Sequence, residues 1–151
     1  MLFNYVLEAA ILANIMAQFL KVPINYIKEG KLRFGLILST GGMPSSHSAF
    51  VSSLATAIAL REGIDSIYFA IAFCFASVVI YDAMGIRRHA GKHAAMLNKL
   101  IADLKESGNL FIFQDEHYQK QFKELLGHEP VETFWGTLFG ITVAFAYILI
   151  I

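Results

Sequence analysis

The chain has 151 residues, of which 56% are hydrophobic and 16% charged, and its twelve basic residues balance its twelve acidic ones. Soluble domains average roughly 45–50% apolar and about 25% charged residues, and a domain of this size cannot enclose so much apolar surface. A net charge of zero gives no whole-molecule attraction to nucleic acid. The composition therefore argues against a nucleic-acid-binding protein and predicts an integral membrane protein.

Four apolar segments predict a single all-α membrane domain, residues 1–151, built as a bundle of about four transmembrane helices. The predicted spans are residues 2–20, 46–60, 66–82 and 134–151, and residues 83–133 form a predicted cytoplasmic segment with a helical extension. A helix needs about 20 residues to cross a bilayer. The second and third spans reach that length only if His47 and Asp82 lie at the membrane interface.

The basic residues are distributed unevenly between these segments. Arg61 lies between the second and third segments, and the other eleven lie before the second or after the third. Because basic connections stay in the cytoplasm, both long connections are predicted to be cytoplasmic. We expect a bacterial inner (cytoplasmic) membrane location, with any site in these connections facing the cytoplasm.

Three polar side chains, Glu8, Asn14 and Gln18, interrupt the first apolar segment. Polar groups within a membrane are costly enough to indicate a function or a buried partner. For Asn14 and Gln18, hydrogen bonds between helices are the simpler interpretation.

A hydroxyl-rich turn leads into the second segment. Gly41 and Gly42 allow the backbone to approach a ligand closely, and Ser45 or Ser46 is placed to cap the helix that follows. The N–H groups at such a helix end attract anions, and His47 stands where it could donate a proton to a leaving group. The turn predicts a phosphate site, with an ordinary helix cap as the alternative.

A second polar cluster follows the third segment. On one continuous helix, Asp82, His89 and His93 would lie within a stripe of roughly 40°. A carboxylate, imidazoles and cations are the groups that a phosphate-cleaving site requires. One alternative is a zinc site formed by Asp82, His89 and His93. Another is that the flanking basic residues only set the topology and contact anionic lipids. The flanking basic residues are Arg87, Arg88 and Lys92.

The predicted topology brings residues from three parts of the chain to one membrane face. They are Lys21, Arg33, the turn from Gly41 to His47, and the segment from Asp82 to His93. One polar pocket that opens at the cytoplasmic interface is the simplest interpretation. His117 and His128, in the connection before the last span, are expected to be solvated.

Two stretches, Met43–Ala49 and Tyr81–Asn98, resemble the divergent type-2 phosphatidic acid phosphatase family, which is related to acid phosphatases and vanadium-dependent haloperoxidases. The resemblance covers essentially the whole chain, because the length and the order of the segments also fit. It implies a metal-independent hydrolase without a cofactor, acting on a phospholipid or isoprenoid phosphate. In the parent superfamily one histidine forms a phospho-enzyme and a second protonates the leaving group.

Carried over by position, the resemblance implies roles for individual residues. Pro44-Ser45-Ser46-His47 stands for the family motif Pro-Ser-Gly-His, with His47 as proton donor and Ser45 as phosphate ligand. Arg87-x5-His93 stands for the start of the third motif, with Arg87 binding phosphate and His93 as the nucleophile.

The chain departs from the family pattern at several positions. Ile86 replaces a serine and Leu97 replaces the aspartate that orients the nucleophile, so Asp82 is the substitute carboxylate. The motif Lys-x6-Arg-Pro does not occur, and Lys21 and Arg33 are the nearest candidates for it.

These departures leave two further interpretations open. His89 could serve as the nucleophile instead, or the chain could be a non-catalytic membrane protein that binds phosphate or a lipid headgroup. Four spans instead of the usual six also leave open a bundle that is completed as a homodimer.

Overall fold

The structure, a computed structural model, describes residues 4–39, 41–106 and 128–150, except for the side chains of residues 38, 86–88, 105 and 106. Its described residues form helices and connecting turns and contain no strand, which confirms the predicted all-α class. The helices are α1 (Tyr5–Glu29), a 3-10 helix (Phe34–Leu38), α2 (Ser46–Glu62), α3 (Ile67–Met84), α4 (Ile86–Glu106) and α5 (Pro130–Ile150).

Short polar side chains begin three of these helices. Asn4, Ser45 and Ser66 each accept a hydrogen bond from a backbone N–H in the first turn of α1, α2 and α3. Such caps satisfy a donor that the helix itself leaves unpaired. Gly30 ends α1 with a φ of 68°, a left-handed conformation that glycine adopts without strain.

The serine- and alanine-rich helix α2 lies at the centre of the bundle and packs against α1, α3 and α5. Helix α5 crosses it at Gly136 and Gly140, where a Cβ atom would collide with the backbone of Ser45 and Ala49. Small residues allow such close approach of two helices within a membrane. The buried residues of α2 are Ser46, Ser48, Ala49, Val51, Ser52, Ser53, Ala55 and Ala57.

Apolar side chains cover the outside of the bundle. In α3 the residues that are buried are the alanines Ala72, Ala76 and Ala83, whereas many of its large side chains, such as Ile71, Phe73 and Val78, are exposed. Within the described residues three helical segments are long and apolar enough to cross a membrane: Tyr5–Glu29, Ile67–Leu104 and Pro130–Ile150. The molecule is thus an all-α integral membrane protein, with the 17-residue helix α2 enclosed by its longer helices.

A polar contact inside this apolar bundle joins the first helix to the last. The Tyr147 hydroxyl donates a hydrogen bond of 2.6 Å to a carboxylate oxygen of Glu8. Glu8 therefore has the partner that its place in an apolar segment required, because an unpaired charge is costly there.

The helical extension after the third span differs from the prediction. A single residue, Gly85, interrupts it with φ of −97° and ψ of −96°, far from helical values. The expected stripe of Asp82, His89 and His93 assumed an uninterrupted helix. Helix α4 does continue the third span, but the interruption at Gly85 removes the assumption on which the predicted stripe rested.

Candidate functional site

A cavity of about 190 Å³ opens at the end of α1, next to the turn that enters α2. We call it the polar cavity, because its lining includes Lys21, Lys28, Glu29, Arg33, Ser39, Gly41, Gly42 and Glu132. Three cations and two carboxylates thus surround one space, with a small excess of positive charge. Predicted phosphate ligands from α1, from the following connection and from the glycine turn meet here.

Lys21 is the most enclosed cation of this cavity. Its side chain is 1% exposed, and its Nζ donates a hydrogen bond of 3.0 Å to the carbonyl oxygen of Ser39. Gly42 lies against the aliphatic part of Lys21 with a φ of 92°, a backbone conformation that favours glycine. In contrast, Arg33 forms an exposed ion pair of 3.5 Å with Glu29, which contributes little to stability.

A second cavity, of about 350 Å³, lies deeper in the bundle. We call it the mixed cavity: Asn14, Gln18, Ser46 and His47 form its polar part, and Phe50, Val51, Phe75 and Val79 form its apolar part. At 100° per residue, positions 14, 18, 21, 25 and 28 fall within roughly 80° of one face of α1. The two cavities therefore follow one another along this face.

The imidazole of His128 is buried beside the entry to α2, so the expectation that it is solvated is wrong. Only 2% of the residue is exposed, and its ring centroid lies 6.0 Å from that of His47 with an angle of 62° between the ring planes. Its Nδ1 lies 3.1 Å from Oε2 of Glu132. Its Nε2 is buried and has no hydrogen-bond partner among the described residues.

Backbone hydrogen bonds hold this histidine and its carboxylate in place. The His128 N–H donates to the carbonyl of Ala83 at 3.0 Å, and the Ser45 N–H donates to the carbonyl of Glu132 at 3.0 Å. The N–H of Glu129 also donates to Oε2 of Glu132 at 3.1 Å. The start of α5 is thereby tied to the end of α3 and to the start of α2.

Sequence reasoning missed His128 and Glu132, although one local signal was present. They stand four residues apart around Pro130, and Pro is favoured in the first turn of a helix. Side chains at this spacing face each other on a helix. The predicted last span begins at residue 134, whereas α5 already begins at Pro130.

The predicted residues on α4 lie apart from both cavities. His89, Lys92 and His93 are exposed and line neither the polar nor the mixed cavity. Asp82, near the end of α3, is half-buried, next to the residue whose carbonyl binds the His128 N–H. The side chains of Arg87 and Arg88, like the whole of His117, lie outside the described part of the chain.

No three His, Cys, Asp or Glu residues of the described chain gather in a way that could hold a metal ion. The zinc site suggested for Asp82, His89 and His93 therefore has no counterpart in the described geometry. The groups that do converge are a lysine, two imidazoles and a carboxylate, a set suited to binding an anion and moving a proton.

A serine-rich helix enclosed by apolar helices, with a buried lysine and paired imidazoles at one end, defines an integral membrane protein with a candidate anion site. The chain belongs to the Divergent PAP2 family, whose model matches residues 2–143. This confirms the resemblance and relates the chain to membrane phosphatases. The chain is 46% identical over 153 residues to the uncharacterized membrane protein YuiD of Bacillus subtilis (strain 168), with 97% of each chain covered. No solved structure matches it.

Proposed function

We propose that this protein is a membrane phosphatase that hydrolyses a phosphorylated lipid, a phosphomonoester or a diphosphate, at the cytoplasmic face. The supporting observation is that a polar cavity with a buried lysine adjoins a mixed cavity with apolar walls along one face of α1. The groups of a lipid phosphate follow one another in the same order: an anionic head, a polar junction and an apolar chain. The reaction proceeds through a phospho-histidine intermediate, as the family resemblance implies.

The groups around the turn before α2 bind the phosphate. Lys21, Gly41 and Gly42 line the polar cavity. Donors fixed in advance around an oxyanion stabilise the charge that develops during phosphoryl transfer. Because Lys21 is enclosed by protein, its attraction to phosphate is stronger than that of an exposed lysine.

His47 protonates the leaving oxygen of the lipid. It lies in the first turn of α2 and lines the mixed cavity, so the proton reaches the bond between the phosphate and the lipid. A positioned acid of this kind accelerates a reaction by about 10²–10⁴-fold.

The mixed cavity holds the part of the lipid next to the phosphate. Asn14 and Gln18 offer amide groups to the polar junction of the lipid, and Phe50 and Phe75 contact the first part of the apolar chain. This gives the polar residues of the first span a role in binding beyond contacts between helices.

The test measures phosphate release by the purified full-length protein in detergent, with phospholipid and isoprenoid phosphates as substrates. We expect release that a chelator leaves unchanged and that His47→Ala lowers by about 10²-fold or more, because the leaving group loses its acid. Lys21→Met should raise KM about tenfold to a hundredfold, since a hydrogen bond to a charged group contributes about 1.5–3 kcal/mol.

Lys28→Met is the matched control for Lys21→Met. Lys28 lines the same cavity of the same helix but is exposed, so its loss should change KM much less. Equal effects of the two substitutions would contradict the role of the buried lysine. Absence of phosphate release from every lipid phosphate would contradict the proposed function.

A non-catalytic headgroup-binding protein is the second candidate function. It is favoured by the position of His93, the nucleophile implied by the resemblance, which is exposed on α4 and lines neither cavity. This alternative predicts that inorganic phosphate raises the unfolding temperature of the protein while no lipid phosphate is hydrolysed.

A further inference from the structure

The geometry points to His128 as the nucleophile of the phosphatase reaction, with Glu132 as the residue that positions it. This inference rests on the proposed function and replaces His93 in the role that the resemblance gives it. Three observations carry it: the contact between the imidazole and the carboxylate, the second nitrogen, which has no partner in the described part of the chain, and the neighbouring imidazole of His47.

The carboxylate of Glu132 fixes which nitrogen of His128 can attack. Oε2 of Glu132 lies 3.1 Å from Nδ1 of His128. A carboxylate can only accept a hydrogen bond, so Nδ1 carries the proton and, in the neutral ring, the lone pair is on Nε2. The same carboxylate stabilises the positive ring that forms when Nε2 becomes bonded to phosphorus. Glu132 is itself held by the N–H of Glu129 at 3.1 Å.

The position of His47 supplies the second group that the reaction requires. Attacking atoms lie about 3–3.5 Å from their target, and a general acid lies about 2.6–3.2 Å from the atom it protonates. In a phosphoryl transfer the attacking and leaving atoms lie on opposite sides of phosphorus, so the two imidazoles that serve it come from either side. The ring centroids of His47 and His128, from distant parts of the chain, are 6.0 Å apart in an edge contact, so the two rings are neighbours that have to separate to admit the phosphoryl group.

Nε2 of His128 is buried and has no hydrogen-bond partner among the described residues, which corresponds to a closed resting state. A buried polar atom without a partner costs stability, and proteins keep such atoms mainly where a ligand or a reaction uses them. Because protein covers Nε2, the substrate has to displace the covering groups before attack. His128, like His93, is not among the residues that line either cavity, so phosphate reaches Nε2 only after these covering groups have moved.

The reaction needs only His128, His47, the lipid phosphate and water. The Nε2 lone pair of His128 forms a bond to phosphorus while the bond from phosphorus to the lipid oxygen breaks, and that oxygen takes a proton from the imidazolium of His47. Water then attacks phosphorus, the bond from nitrogen to phosphorus breaks, and the proton of the water returns to His47. The products are inorganic phosphate and the lipid alcohol when the substrate is a phosphomonoester, or inorganic phosphate and the lipid monophosphate when it is a diphosphate.

The experiment locates the phosphoryl group on the wild-type chain, which avoids reliance on a variant that fails to fold. The full-length protein in detergent is mixed with a radiolabelled lipid phosphate and quenched in alkali, and the labelled peptide is identified. We expect label on His128. His128→Gly should lose phosphate release and recover part of it when free imidazole is added, whereas His93→Ala should retain release.

Glu132→Gln separates positioning from a merely structural role. We expect kcat per folded molecule to fall by roughly 10²-fold or more, as when a histidine loses its orienting carboxylate. KM should stay the same or fall, because a negative charge leaves the polar cavity. An unchanged kcat with less folded protein would show that Glu132 only supports the fold, and would contradict its positioning role.

The remaining outcomes distinguish this inference from the proposed function. Label on His93, with normal release by a folded His128→Gly variant, would overturn the role of His128 and leave the phosphatase function intact. Absence of both label and release in the wild-type protein would overturn the proposed function and the inference with it.

Discussion

Replacing Gly140 by alanine tests the packing of α5 against α2, on which the candidate site depends. A Cβ at this position would fall inside the van der Waals distance of the Ala49 carbonyl and the Ser52 hydroxyl. The carbonyl belongs to the backbone of the central helix, so a change of side-chain rotamer cannot relieve the collision. The two helices must separate or shift along each other.

The expected loss of stability follows from two contributions. Forcing an extra methyl group into a packed interface costs about 1–3 kcal/mol. The shift also strains the hydrogen bond of 3.1 Å from the Ser52 hydroxyl to the Thr137 carbonyl, which contributes about 0.5–1.5 kcal/mol. Together they give about 2–4 kcal/mol, enough to lower the folding equilibrium constant by more than about tenfold.

The assay is a denaturant titration in mixed micelles, followed by the fluorescence of Trp135, the single tryptophan of the chain. Gly35→Ala adds the same methyl group where no atom lies within 4 Å, so its free energy of unfolding should match the wild type within about 0.5 kcal/mol. If Gly140→Ala unfolded with the same denaturant midpoint as the wild type, the packing described for α2 and α5 would be refuted.

A second glycine of α5 links this packing to the site. A Cβ at Gly136 would collide with the backbone of Ser45, the residue that caps α2 beside His47. Gly136→Ala should therefore lower phosphate release per folded molecule, in addition to lowering stability. Gly140→Ala, one helical turn further along, should affect mainly stability.

Two other substitutions have matched controls. Tyr147→Phe leaves the Glu8 carboxylate without the described hydroxyl partner and should lower the unfolding midpoint in detergent. Tyr26→Phe changes an exposed ring and should leave the midpoint unchanged. Equal midpoints for the two variants would contradict the role of the contact between Tyr147 and Glu8. Ser45→Ala and Ser66→Ala each remove a helix cap and should each cost about 1 kcal/mol. Only the first should also slow phosphate release, and equal activities per folded molecule would exclude Ser45 from the site.

The sequence predicted the helical type and the approximate position of α1, α2, α3 and α5, because hydrophobic periodicity and caps are local. Among the described residues, however, three helical segments rather than four are long and apolar enough to cross a membrane. Helices α2 and α3 begin at Ser46 and Ile67, close to the predicted starts at 46 and 66. The predicted first span ends at residue 20, yet α1 continues past Lys21 to Glu29. A charged residue bounds an apolar segment but does not end a helix, which here ends at Gly30.

The placement of α4 could not be predicted in the same way. Residues on both sides of Gly85 have helical sequences, and glycine within a helix costs only about 1 kcal/mol. The sequence therefore gave no reason to choose between a continuous helix and an interruption. The conformation of this one residue decides whether His89 and His93 share a face with Asp82, so a face deduced over several turns depends on a local choice that the sequence leaves open.

The burial of His128 depends on contacts that no local pattern contains. Its spacing to Glu132 suggests a pair on one helix, but the pair becomes part of a site only because the Ser45 N–H binds the carbonyl of Glu132 and the Ala83 carbonyl accepts the His128 N–H. These bonds join the starts of α2 and α5 to the end of α3. The close crossing at Gly136 permits that junction, because any side chain there would push Ser45 away from α5. The same small residues that let the apolar helices pack thus bring two distant imidazoles together.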